Sequence, residues 1–179
     1  MTTVALHTAP DGLLAAVAPL GCALAAGTAL VIDLDHLGVP LPGSRTLRDL
    51  VEEGPTGAEL HPTRRGVASL PNGGVGPTEA AEVVDALRGS WPHVVLRVPD
   101  EEAVPDGVLG VALRPLLPGV TPGRRLPTLL QPLGFDARAD APQGFRMPRL
   151  SGRVARALLH GRTVRSPWVS AWSMVWDAA

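Results

Sequence analysis

The sequence contains no lysine and no tyrosine, and it contains a single cysteine. All 16 basic residues are therefore arginines, which excludes any chemistry that needs a lysine amine. The lone Cys22 excludes a disulfide framework and a zinc site built from cysteines. It lies in an apolar helical stretch, where we expect a buried, unreactive thiol. Abundant alanine, glycine and proline are typical of a bacterium with a GC-rich genome, so arginine in place of lysine at one position means little.

A strong net charge is also absent, since the formal charge is −1 at pH 7. No overall field attracts nucleic acid, and we expect no nucleic-acid partner. The N-terminus lacks a basic flank before an apolar run, which argues against a signal peptide. The apolar stretch 13–30 holds Pro19, Gly21 and Gly27 and leads directly into a strand, as in a buried core helix. We therefore predict a cytoplasmic protein, and the alternative of peripheral contact with the inner face of the membrane stays open.

The most informative stretch is Ala29–Asp35, in which an apolar run ends in two carboxylates. Such a run predicts a buried parallel strand, with Asp33 and Asp35 at the carboxyl edge where open α/β sheets bind ligands. Strands alternate with helices along the chain, which predicts a parallel sheet covered on both faces. We therefore predict one domain over residues 1–179, with a three-layer α/β/α, Rossmann-like fold.

The loop between the first strand and the first helix is the place for phosphate binding in such a fold. This loop, His7–Gly12, has one glycine, a proline that removes a donor, and Asp11 where a phosphate charge would lie. Asp11 repels an anion, and we expect it to cap the helix instead. His7, Asp11 and Gly12 thus read as a vestigial phosphate loop.

A second glycine-rich segment, residues 72–78, resembles a Gly-Gly-Val-Gly-Lys-Thr phosphate loop with Pro77 in place of lysine. It follows a strand and precedes a helix, and its backbone could form an anion nest. Because Pro77 supplies no charge, a plain glycine-rich turn is the preferred interpretation.

The order of these segments resembles the MinD/ParA family of P-loop ATPases. Residues 4–38 are similar to that family's opening loop, helix and Asp-x-Asp strand, and residues 80–100 to a later helix and strand. Residues 109–119 and 147–162 resemble the next strand and the closing Pro-x-Asp segment. The resemblance implies a P-loop-NTPase-like fold. It also places Arg97 where the family has its magnesium-organising aspartate, and a fixed cation there repels the metal.

The broken motifs are most similar to the CpaE/TadZ-like branch, which is associated with pilus and secretion loci. The resemblance therefore implies a catalytically inactive pseudo-ATPase that serves as a protein-interaction, localisation or assembly factor, with septum placement as a related role. We predict no catalytic residue, no metal and no cofactor, although residual nucleotide binding stays open. The implied partner is a second copy of the chain, a paralogous ATPase or a secretion component.

An enzymatic alternative starts from the same two carboxylates. Ile32–Asp35 also resembles the nucleophile strand of haloacid-dehalogenase-type phosphatases, in which the first carboxylate attacks phosphorus and both bind magnesium. That family continues with Gly-Thr, whereas His36 and Leu37 follow here. The blander interpretation is that Asp33 and Asp35 orient neighbouring loops.

The C-terminal residues 166–179 form the second informative stretch. Trp168, Trp172 and Trp176 recur every four residues, so they form one stripe on a predicted amphipathic helix. This apolar stripe predicts packing on the protein's own core, contact with a protein partner, or insertion into a membrane interface. The last alternative makes the chain a membrane-recruited scaffold.

Overall fold

A computed structural model describes six stretches of the chain, namely residues 1–8, 12–62, 66–99, 103–116, 126–133 and 144–179. The described strands are β1 (Thr2–Thr8), β2 (Thr28–Asp33), β3 (Gly66–Leu70), β4 (His93–Val98), β5 (Leu109–Leu116), β6 (Thr128–Pro132) and β7 (Phe145–Arg146). The described helices are α1 (Leu13–Ala26), α2 (Leu47–Glu53), α3 (Gly57–Leu60), α4 (Pro77–Arg88), α5 (Gly152–Leu159), α6 (Pro167–Ser170) and α7 (Ser173–Asp177).

All described strands belong to one parallel sheet, in the order β3-β2-β4-β1-β5-β6-β7. β4 thus lies between β1 and β2, although it follows both in the chain. Parallel neighbours need crossover connections, and the helices that supply them cover both faces of the sheet. The predicted Rossmann-like, three-layer α/β/α fold is confirmed.

Each helical layer encloses its own apolar core. On one face, α1, α5, α6 and α7 pack against the sheet, and α1 is buried along most of its length. On the other face, α2 and α4 pack against the sheet through buried leucines, alanine and valine. Most residues on both faces of the central strands are apolar, as expected for a sheet without a solvent-facing side, and the buried polar residues His7, Asp33 and Arg97 lie near the carboxyl ends of their strands. Within the described residues, no helix combines the length and hydropathy required to cross a bilayer.

The sequence pattern predicts helices over residues 13–26 and 47–53 and a strand over residues 93–98, and these bounds agree with α1, α2 and β4. β2 ends at Asp33, two residues before the predicted end, so Asp35 lies in the following turn. The sequence predicts Thr78 as the N-cap of a helix that begins at Glu79, but α4 begins at Pro77, whose missing N–H is harmless in a first turn. The sequence pattern predicts neither α3 nor β7, because such short elements carry no periodic signal.

The C-terminal segment 166–179 is two short helices, α6 and α7, instead of the single predicted helix. The sequence predicts that Ser166 or Pro167 begins the last helix, and Ser166 caps α6 by accepting a hydrogen bond from the N–H of Val169, while Pro167 is its first residue. Ala171 and Trp172 separate the two helices. Both residues keep helical dihedral angles, and Trp168 and Trp172 pack against each other with ring centroids 5.6 Å apart.

Candidate functional site at the carboxyl ends of β2 and β4

Three charged side chains meet where β2 and β4 end, and we call Asp33, Arg97 and Asp35 the charged cluster. Asp33, the last residue of β2, lies beside Arg97 of β4 in the parallel register. On its other side, Arg97 lies beside Leu6 of β1. The insertion of β4 between β1 and β2 therefore brings a cation and a carboxylate together at the ligand-binding edge of the sheet.

The guanidinium of Arg97 is fully buried and contacts three residues. Its Nε lies 2.9 Å from Asp33 Oδ1. The two groups form an ion pair, but the N–H does not point at the oxygen well enough for a hydrogen bond. Nη1 donates to the Val39 carbonyl at 2.7 Å, and Nη2 lies 3.4 Å from both Oδ2 and the carbonyl oxygen of Asp35. A guanidinium removed from water requires such partners, since an unpaired buried charge is strongly destabilising.

The Asp33 carboxylate is enclosed as tightly as its partner, with 2% of the side chain exposed. Its Oδ1 also accepts a hydrogen bond from the N–H of Asp35 at 3.1 Å, and this Asx-type turn ends the strand. Burial raises the pKa of Asp33 to about 6, although the nearby Arg97 guanidinium opposes the rise. The Asp33 carboxyl group is therefore mostly ionised only above about pH 6.

A tight turn after β2 closes over the guanidinium. The N–H of Leu37 donates to Asp35 Oδ1 at 3.2 Å, and the N–H of Gly38 donates to the Asp35 carbonyl at 3.3 Å. A Cβ at Gly38 would lie 2.0 Å from Arg97 Nη2, so only glycine fits against the cation. The turn thus occupies the space above the strand ends, where a ligand of an α/β sheet would lie.

The glycine-rich segment 72–78 satisfies its polar groups internally. Asn72 is buried, and its Oδ1 accepts hydrogen bonds from the N–H groups of Gly74 and Val75 at 2.7 and 2.8 Å. Arg48 donates to the carbonyl oxygens of the same turn. Because these N–H groups are engaged by Asn72, they do not form an anion nest, which agrees with the interpretation as a plain turn.

The loop His7–Gly12, interpreted from the sequence as a vestigial phosphate loop, is described only at His7, Thr8 and Gly12. His7 is buried near the end of β1, and Gly12 precedes α1 with a φ of 57°, a left-handed conformation that suits glycine. The predicted cap, Asp11, lies outside the described residues.

Two tryptophans of the C-terminal segment are buried in the protein's own core, and we call Trp168, Trp172 and Trp176 the tryptophan cluster. Trp168 donates its indole N–H to Gln131 Oε1 at 2.6 Å and packs edge-on against Trp172. A Cβ at Gly21 of α1 would lie 2.2 Å from the Trp168 ring, so this glycine creates the space for the indole. Own-core packing, one of the three alternatives from the sequence, thus describes Trp168 and Trp172, which are not exposed to a partner.

The third tryptophan joins the end of the chain to the start of β4. Trp176 is half-buried, donates to the carbonyl of Cys22 at 2.9 Å, and meets the His93 ring edge-on at a centroid distance of 5.1 Å. Cys22 itself is buried, and burial raises the pKa of its thiol well above the ordinary range. The expected unreactive thiol agrees with this environment.

Sequence reasoning did not identify the roles of Gly38, Asn72 and Gln131. Asn72 donates to the Asp33 carbonyl at 3.1 Å and so ties the glycine-rich turn to the charged cluster. Gln131 links Trp168 to the carbonyls of Pro132 and Pro148. Asn before Gly-Gly is a recognisable turn signal, but nothing in the chain order indicates which distant groups these side chains reach.

No protein-family model matches the chain, and a search of curated proteins gives no significant match.

Proposed function

We propose that the protein is a catalytically inactive, MinD/ParA-like pseudo-ATPase that acts by binding other proteins. One observation carries the proposal: a buried arginine neutralises the carboxylates at the sheet edge where a hydrolase would hold its metal and phosphate. The complete absence of lysine from the sequence supports it, because no lysine amine can reach a β- or γ-phosphate.

The charged cluster disfavours a magnesium ion on electrostatic grounds. Mg²⁺ binds through carboxylate oxygens, and Asp33 directs its Oδ1 to Arg97 and to the N–H of Asp35. A metal at this position would face the guanidinium charge at close range. Freeing the carboxylates would also leave Arg97 buried and unpaired, which is costly.

The same geometry favours the pseudo-ATPase over the phosphatase alternative. A nucleophilic carboxylate has to touch phosphorus, and the Asp33 side chain is 2% exposed and held by Arg97. Burial of Trp168 and Trp172 likewise favours a protein-binding factor over a membrane scaffold that inserts its tryptophans. The resemblance suggests localisation or assembly in a pilus, secretion or septum system as the process.

Isothermal titration calorimetry with ATP and Mg²⁺ tests the proposal. We expect no saturable heat and no rise in melting temperature at millimolar ATP, because a ligand that does not bind cannot stabilise the folded state. Saturable binding in the micromolar range would refute the inactive-ATPase proposal.

A phosphate-ester panel with Mg²⁺ tests the alternative enzyme. We expect no turnover by the wild type. Turnover that is lost in Asp33→Asn would establish the phosphatase instead.

A further inference from the structure

The C-terminal part of the chain is strongly basic, although the whole protein is nearly neutral. Residues 144–176 contain no aspartate or glutamate. Their arginines are Arg146, Arg149, Arg153, Arg156, Arg162 and Arg165. Such an asymmetry inside a nearly neutral chain creates a local field that a global charge count conceals.

Helix α5 presents part of this charge on its outer side. Val154, Ala155 and Leu158 are buried and face the core. Arg153 and Arg156 are exposed and three residues apart, so they lie on the same face of the helix. Helix α1, against which α5 packs, contributes no charged side chain to neutralise them.

The arginines of the two helical layers differ in their partners. In the α2 and α4 layer, Arg45, Arg48 and Arg88 each lie within 3.5 Å of a carboxylate. In the α5 region, neither Arg156 nor Arg162 forms an ion pair with any described residue. These exposed guanidinium groups are therefore available to a carboxylate from outside.

A small cavity adjoins this basic surface. It has a volume of about 60 Å³ and is lined in part by Leu20, Leu24 and Leu158, with Arg162 and Thr163 beside them. Its size suits the tip of one small apolar side chain, and it is too small to take up an acyl chain. An apolar cavity beside arginines that have no ion pair among the described residues matches a protein segment better than a nucleic-acid backbone, which carries no aliphatic side chains.

We propose that the outer face of α5 and the loop after it bind an acidic segment of a partner protein. Carboxylates of that segment pair with Arg153, Arg156 and Arg162, and one aliphatic side chain enters the adjoining cavity. This inference rests on the proposed protein-binding function and names its surface and the chemistry of its partner. It leaves the charged cluster and the tryptophan cluster as internal structure.

Fluorescence polarisation with a short labelled peptide of glutamates and valines tests this surface. We expect saturable binding that weakens with added salt. Arg156→Gln/Arg162→Gln should weaken it by about tenfold, from the loss of two exposed charge pairs. The matched control Arg48→Gln/Arg88→Gln removes the same charge from the opposite layer and should change binding by less than about twofold. Equal losses in both double variants would overturn the proposal.

The cavity is tested separately with an analogue peptide that has serine in place of valine. We expect the analogue to bind about fivefold more weakly, because it buries no aliphatic group. Thr163→Phe, which fills the cavity and keeps every arginine, should abolish the difference between the two peptides. An unchanged difference would overturn the cavity assignment.

Oligothymidylate and phosphatidylglycerol vesicles serve as competing anionic probes. Binding of either as tightly as the valine peptide, with the same loss in Arg156→Gln/Arg162→Gln, would overturn the proposal in favour of a general polyanion surface. Circular dichroism confirms folding of each variant. Failure of peptide binding leaves the ATP calorimetry unaffected, so the two proposals can fail independently.

Discussion

The charged cluster and the tryptophan cluster lie on the same face of the sheet, yet different forces hold them. The charged cluster surrounds Arg97 near the end of β4, and the tryptophan cluster meets His93 at the beginning of the same strand. The first depends on every charge having its partner. In the second, Trp168 and Trp176 each donate an indole hydrogen bond, whereas Trp172 depends on shape alone, since its indole N–H is buried without a hydrogen-bond partner among the described residues. Truncation should therefore leave a cavity in one place and an orphan charge in the other.

The largest expected effect is in the tryptophan cluster. Trp172→Ala should lower the free energy of unfolding by about 5 kcal/mol, because removing its fully buried ring leaves a large cavity in the core. Urea unfolding followed by circular dichroism measures the change. Trp172→Phe is the matched control. It should lower the free energy of unfolding clearly less than Trp172→Ala does, since a phenyl ring fills most of the space and the indole N–H has no hydrogen bond to lose among the described residues. Equal losses would show that shape does not govern this cluster.

Removing the cation tests the charged cluster. Arg97→Met should lower the free energy of unfolding by about 4 kcal/mol at neutral pH, because it leaves Asp33 buried without its guanidinium partner. The double variant Arg97→Met/Asp33→Leu removes both charges and should recover most of this loss in the same unfolding assay. A double variant as unstable as the single one would contradict the orphan-charge explanation.

The dependence of stability on pH is a further difference between the charged cluster and the tryptophan cluster. An unfolded aspartate loses its proton near pH 4, whereas folded Asp33 keeps its proton up to about pH 6. The folded state binds more protons between these values, so stability falls as pH rises through the window, by about 3 kcal/mol in total. Denaturant unfolding at several pH values should show this fall in the stability of the wild type relative to that of Asp33→Asn. The variant Trp172→Phe should show the same fall as the wild type. A difference in free energy of unfolding between wild type and Asp33→Asn that stays constant with pH would exclude the raised pKa of Asp33.

The smallest effect concerns the space beside Trp168. Helix propensity alone predicts that Gly21→Ala stabilises α1 by up to about 1 kcal/mol. The new Cβ would lie 2.2 Å from the Trp168 ring, so the substitution should destabilise the protein instead. We expect thermal unfolding to show a stability lower by about 1–3 kcal/mol. The control Gly152→Ala, where no atom lies within 4 Å of the new Cβ, should stay within about 0.5 kcal/mol of wild type. A stabilised Gly21→Ala protein would mean that the indole can move aside.

The element pattern was predictable because it depends on local periodicity. Buried apolar runs predicted the central strands, and the apolar length of α1 and its following glycine predicted its bounds. The site was only half predictable. Asp33 and Arg97 stood out as residues at strand ends, but their ion pair follows from the insertion of β4 beside β2, and no local pattern specifies that order.

The amino-acid order alone establishes the alternation of strands and helices, the absence of lysine chemistry and the concentration of tryptophan in residues 166–179. These properties follow from composition and from short-range spacing, which the chain carries wherever it folds. The tertiary structure added that Arg97 neutralises Asp33, that Gly21 makes space for Trp168, and that Arg156 and Arg162 form no ion pair with a described residue. These contacts depend on which residues distant in the chain come within a few ångströms of each other. Burial then determines how much each contact contributes to stability.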